Sequence, residues 1–165
     1  MGSFEGKCLP CQVRAKSTIF ILKSVCRHWW ALKRQEVQSI REGYACALLE
    51  NTLYTYPDMS IVCGKQEYLD KEVDTLLNPK VIVEILSASS RDYDKGGKFT
   101  LYRGIPSLEE YILIDSEKVF VERFCKNEQG QWTLSEYKTL NDQLTISNIK
   151  FTVGLTEVYG NVFEN

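Results

Sequence analysis

The sequence predicts an α/β fold: a mixed, mostly antiparallel β-sheet flanked by helices. Three observations carry this. Residues 80–86 contain Val81-Ile82-Val83-Glu84-Ile85-Leu86, an apolar, β-branched run of the kind that forms a strand buried on both faces. Residues 91–103 follow as an amphipathic stretch, with Phe99, Leu101 and Tyr102 set among charged residues. Short strand-like runs separated by turn residues then fill the rest of the chain. The chain has 165 residues, 44% hydrophobic and 25% charged, which suits one globular domain over 1–165 with a sizeable core.

Residues 1–17 show no period. Ser17-Thr18-Ile19-Phe20-Ile21-Leu22 is β-prone enough for a strand and short enough for a buried helical turn. Residues 26–42 read as a helix, with Trp29, Trp30, Leu32, Val37 and Ile40 apolar among polar neighbours and Gly43 as its stop. From Tyr44 the pattern turns β-like, with strands expected at 45–49, 53–56 and 59–63. Pro57 lacks a ladder donor and belongs at an edge, a bulge or a strand junction. Residues 66–77 are polar and acidic and read as a loop with a helical turn, and Asn78-Pro79 as a turn.

The strand at 80–86 is followed by Ser87-Ala88-Ser89-Ser90, a supply of N-caps for a helix over 91–103. Gly96-Gly97 inside that helix costs about 1 kcal/mol per glycine relative to alanine, which suggests close approach to a ligand. Gly104 and Pro106 end the segment. Residues 110–114 form a strand, and 119–124 pair with 132–137 across Asn127-Glu128-Gln129-Gly130. A last strand is expected over 144–151, and a short helix over 154–159. There are no repeats and no low-complexity segments.

A net charge of −2 and a pI of 5.6 argue against a protein wrapped nonspecifically around nucleic acid, although a local basic rim beside an acidic site remains compatible. No apolar run approaches the ~20 residues of a membrane helix, and Met1–Lys7 has no signal-peptide layout, so a cytoplasmic protein is expected. Cys8 and Cys11 have the Cys-x-x-Cys spacing of redox and zinc sites. With Cys26 and His28 as possible further ligands, a thiol-redox or zinc protein is one reading of that segment; two ordinary thiols is the other. Cys46, Cys63 and Cys125 sit in apolar runs and read as small buried hydrophobes. His28 is the only histidine, so a Ser-His or zinc mechanism would rest on it alone.

Three segments stand out as one divided acid site: Tyr56-Pro57-Asp58, the strand around Glu84, and Asp94-Lys95-Gly96-Gly97-Lys98. A lone glutamate in an apolar strand is costly to bury without a partner. A divalent metal shared with a second carboxylate would offset that cost, and a nearby lysine would complete a phosphodiester-cleaving site. Each residue also has an ordinary reading. Asp58 suits a turn, Lys98 a solvated helix face, Ser87 and Asp94 helix caps, and Tyr102 a core position. Lys95, three residues before Lys98, competes for the lysine role.

The ordered series resembles the PD-(D/E)XK nucleases, and within them the Uma-type family of restriction-endonuclease-like proteins. The matching residues are Tyr56-Pro57-Asp58, Asn78-Pro79, Val83-Glu84-Ile85-Leu86-Ser87, Ser89-Ser90, Asp94, Lys98, Tyr102-Arg103 and Pro106–Asp115. The likeness covers roughly 50–160. It implies a restriction-endonuclease-like core over 46–165, and a divergent or truncated N-terminal part over 1–45.

The resemblance further implies a Mg2+-dependent DNA endonuclease, with Mn2+ as an alternative cation. Asp58, Glu84 and the Ile85 carbonyl would bind the metal, and Asp58, Glu84 and Lys98 would be catalytic. The superfamily places its lysine two residues after the acid, where this chain has Leu86. The Uma-type family shares that departure, and Lys98 on the following helix is its match. A nuclease-fold binding module without turnover is the rival. A homodimer, through the C-terminal hairpin edge or Trp29-Trp30, would give each DNA strand its own site.

Overall fold

The computed structural model describes residues 37–41, 45–48, 53–69, 75–160 and 162–163. Eleven strands lie among them: β1 Val37–Arg41, β2 Ala45–Leu48, β3 Leu53–Thr55, β4 Met59–Cys63, β5 Thr75–Leu76, β6 Val81–Leu86, β7 Glu110–Asp115, β8 Val121–Lys126, β9 Trp132–Tyr137, β10 Gln143–Ile146 and β11 Phe151–Gly154. The main sheet has six strands in the order β1-β4-β6-β7-β8-β9. It is mixed: β6 and β7 run parallel, and its other neighbours are antiparallel. The parallel pair follows from the connection, since only a long crossover returns a strand beside its predecessor in the same direction. That crossover is a helix, π-helical over Tyr93–Lys98 and α-helical over Phe99–Tyr102 (α1).

The strand period of two divides β6 between the faces of the sheet. Val81, Val83 and Ile85 pack with Ile112 and Ile114 of β7 against the β10–β11 hairpin and the helix Leu155–Tyr159 (α2). Ile82 and Leu86 lie on the opposite face with Tyr102, Ile105, Leu108 and Tyr111. Both faces are covered, so all six β6 residues are buried. Phe99 clamps the second layer by stacking on Tyr111, with ring centroids 5.2 Å apart, and meeting Trp132 edge-on at 5.3 Å.

Three sequence expectations are corrected. Val37–Arg41, read as the end of a helix, is a strand antiparallel to β4, with a register shift between Val37 and Ser39. The free edge of β4 offers a ladder that outweighs local helical spacing. The single strand expected over 144–151 is two, β10 and β11, joined by a tight 3-10 turn at Ser147–Ile149 and by Lys150 at φ 50°. Residues 66–77 contribute the short strand β5, which pairs parallel with β2 in a separate three-stranded sheet, β3-β2-β5.

Cys63 and Cys125 are half-buried rather than fully buried, and neither forms a disulfide. The candidate motifs at Cys8, Cys11, Cys26, His28 and Trp29-Trp30, and the strand or turn read over 17–22, lie outside the described residues. No helix among the described residues is long and apolar enough to cross a membrane.

Candidate active site

The β4–β6 ladder stops at the Met59–Val83 pair, one residue before Glu84. Beyond it the chain runs through Asp58 and Pro57, and among the described residues no strand pairs with that edge of β6 after Val83. The Asp58 carboxylate takes the place of the missing strand: its Oδ2 accepts the Ile85 N–H at 2.8 Å. In return the Asp58 N–H donates to Glu84 Oε2 at 3.3 Å. Asp58 and Glu84, 26 residues apart in sequence, are thereby fixed side by side where the sheet splits.

Glu84 is on the helix-facing side of β6 and only 2% exposed. Its Oε1 accepts from the Lys98 ammonium and from the Tyr102 hydroxyl, each at 2.9 Å. Lys98 also pairs with Asp94 Oδ1 at 3.0 Å, one helical step back on the same segment. The Tyr111 hydroxyl donates to the Asp94 carbonyl at 3.0 Å and ties the π-helical turn to β7. The lysine thus sits between two buried carboxylates, held from the helix by one and from the sheet by the other.

Burial pushes the Glu84 carboxyl from an ordinary 4.5 up to about 7; Lys98 opposes the rise, while Asp58 and Asp94 add to it. Burial draws the Lys98 ammonium down, but Glu84 and Asp94 outweigh it and hold the group above its usual value. The Tyr102 and Tyr111 hydroxyls are driven far above the ordinary phenol range, first by burial and then by Glu84, so both act as hydrogen-bond donors.

Lys95 goes elsewhere. It pairs with Glu122 of β8 at 2.5 Å. Glu84, Leu113 and Glu122 are register partners across β6, β7 and β8, which sets the two glutamates about 10 Å apart. Lys98 therefore covers Glu84 and Lys95 covers Glu122. Ser87 is at the entry to the helix, its hydroxyl 3.2 Å from those of Ser89 and Ser90. Asp94, read from sequence as a possible cap, instead binds Lys98. The roles of Asp94 and Tyr102 toward Glu84 depend on the helix docking angle, which no local spacing reports; the Gly96-Gly97 pair was the one sequence sign that this segment is unusual.

A scan against family models matches residues 18–155 to the Uma2 family, whose description is "Putative restriction endonuclease". The chain belongs to the Uma2 family. The match reaches upstream of the residues that carry the sequence resemblance. Two Synechocystis sp. relatives, named uncharacterized protein slr1290 and uncharacterized protein sll1609, are 34% identical over 106 residues and 36% identical over 103 residues. Those alignments cover 64% and 62% of this chain but 54% and 58% of the relatives, so the chain spans just over half the length of each. A crystal structure from Anabaena variabilis, described as "a putative nuclease belonging to DUF820", superposes with a TM-score of 0.74 over 97% of this chain and 89% of that one, at 13% identity. This Uma2 chain therefore has a restriction-endonuclease-like nuclease fold.

The donor set suits a hard divalent cation: two adjacent carboxylates, with Glu84 buried and held by Lys98. Among the described residues no three His, Cys, Asp or Glu side chains form a metal-binding group. A cation here would rest on two carboxylates, a peptide oxygen, water and substrate, the arrangement magnesium commonly accepts.

Proposed function

We propose that this chain is a divalent-metal-dependent endonuclease that hydrolyses DNA phosphodiester bonds. The observation that carries the reading is the pairing of Asp58 with Glu84 where the sheet splits, with Lys98 directly on Glu84. Asp58, Glu84 and the Ile85 carbonyl would hold Mg2+ or Mn2+. The Ile85 N–H points at Asp58, and the carbonyl of a strand residue points to the same side as its N–H. Such a cation supplies Lewis acidity toward the scissile phosphate and makes a bound water more acidic.

The chain's own groups do the rest. Asp58 and Glu84 would hold the cation between them, and its charge would offset their mutual repulsion. Tyr102 keeps Glu84 in one rotamer by donating to Oε1. Lys98 is anchored by Asp94 as well as by Glu84, so its ammonium would stay in place to face the phosphate oxygens where negative charge grows. Asp94 holds that charge in place before the reaction, so little reorganisation is needed.

A second reading has one observation in its favour. The Lys98–Glu84 ion pair lets the chain's own lysine offset the buried carboxylate, which suits a nuclease-fold module that binds without turnover. Nicking of supercoiled plasmid by the purified chain in Mg2+ separates the two. Cleavage by wild type, lost in Glu84→Gln and in Lys98→Ala, is the result expected of the enzyme. Metal binding with no cleavage of DNA or RNA would replace the enzyme with the binding module.

A further inference from the structure

Tyr56 and Tyr93 are the most exposed large apolar side chains among the described residues, at 63% and 54%. Tyr93 sits beside the acid site, and Tyr56 adjoins it in sequence. Tyr56 precedes Asp58 by two residues, and Tyr93 precedes Asp94 by one. The Lys98 ammonium lies 6.0 Å from the centre of the Tyr93 ring. The ring is laid against bare backbone: a Cβ at Gly97 would fall 2.9 Å and 3.0 Å from two of its carbons. Glycine at 97 is what allows the ring this position.

We propose that Tyr93, with Tyr56 beside Asp58, is an aromatic platform that stacks on unpaired nucleobases flanking the phosphate that Lys98 would face at the proposed Asp58–Glu84 metal site. The inference rests on the nuclease reading and specifies its substrate. A base and its own phosphate are separated by one sugar, the same scale as the separation of the Tyr93 ring from Lys98. A ring face accepts any base, so the platform adds affinity without reading sequence. In an intact duplex the base faces are already stacked on one another. The platform therefore favours a single strand, or a site where the duplex is open. The chain's net charge of −2 gives little general attraction to phosphate, which leaves stacking a larger share of the binding.

The test is equilibrium binding of a fluorescently labelled single-stranded oligodeoxynucleotide to the full chain in Ca2+, followed by anisotropy. The same strand with abasic residues at its centre and the matching duplex are measured alongside. Wild type should bind the intact strand more tightly than either. Tyr93→Ala should lose at least ~5-fold in affinity for the intact strand and bind the abasic strand as wild type does. Tyr93→Phe should keep wild-type affinity. Gly97→Ala, which displaces the ring without removing it, should weaken binding in the same direction as Tyr93→Ala. Thermal melts of each variant with and without Mg2+ report whether the fold and the acid site are intact. Equal binding of intact and abasic strands by wild type, or Tyr93→Ala and Tyr56→Ala both indistinguishable from wild type, would overturn the platform while leaving the nuclease reading standing. Wild type that binds no strand and whose melting does not move with metal would overturn both.

Discussion

Glu84 is a carboxyl in an otherwise apolar strand, and its effect on stability has a definite sign. Its folded-state value of about 7 lies above the ordinary 4.5, so between those values the native state holds a proton that the unfolded chain has lost. The group's stabilising contribution is complete below about pH 4.5 and is lost as pH rises to about 7, on the order of 3 kcal/mol in all. Metal-free denaturant titrations across that window should show the decline. Glu84→Gln, which mimics the protonated carboxyl, should flatten it and be more stable than wild type at pH 8. The two lysines give a sharper contrast. Lys98→Ala strands two buried carboxylates and should cost roughly 3–5 kcal/mol at pH 8, less near pH 5 where Glu84 is protonated. Lys95→Ala breaks a pair that is about a third exposed on its lysine side and should cost about 1 kcal/mol or less. A larger loss of cleavage in Lys95→Ala than in Lys98→Ala would show that Lys95, not Lys98, serves the scissile phosphate. Asp94→Asn removes the charge that anchors Lys98 and should lower cleavage while sparing metal affinity.

At the scale of elements, the site exists because β4 leaves β6 early. Asp58 then closes the open edge of β6 through the Ile85 N–H. Asp58→Ala leaves that buried donor unpaired, whereas Asp58→Asn keeps an acceptor in place. The alanine variant should be less stable than the asparagine variant by about 1–3 kcal/mol, measured by denaturant unfolding. Equal stabilities would mean that the carboxylate does not complete the strand edge.

Element scale also shows what local sequence can report. The apolar run of β6, the period of the helix after it and the Asn127–Gly130 turn each carry their own signal, and each element formed where that signal lies. Residues 37–41 do not, because their strand depends on a partner edge 19 to 26 residues downstream. The break between β10 and β11 is similarly hidden, since a non-glycine residue, Lys150, adopts the left-handed conformation there. For the site, sequence reasoning marked Asp58, Glu84 and Lys98 as a set. The Lys98–Asp94 pair, the Tyr102 bond to Glu84 and the diversion of Lys95 to Glu122 needed the packing of helix on sheet.

Across the whole molecule, two cores grip the two faces of one mixed sheet, and the acid site opens where that sheet splits. The family assignment and the fold likeness agree with this architecture. The proposed function stands on the binding of a divalent cation by Asp58 and Glu84 in the native state. The most direct measurement is the melting temperature of wild type and Glu84→Gln at pH 8, with and without Mg2+ or Mn2+. Cation at 100 times its Kd would add about 2.7 kcal/mol to native stability, a rise of roughly 5–10 °C for a chain of this size. That rise is expected for wild type, and none for Glu84→Gln. A wild-type melt that does not move with the cation, or a Glu84→Gln melt that moves just as far, would contradict it.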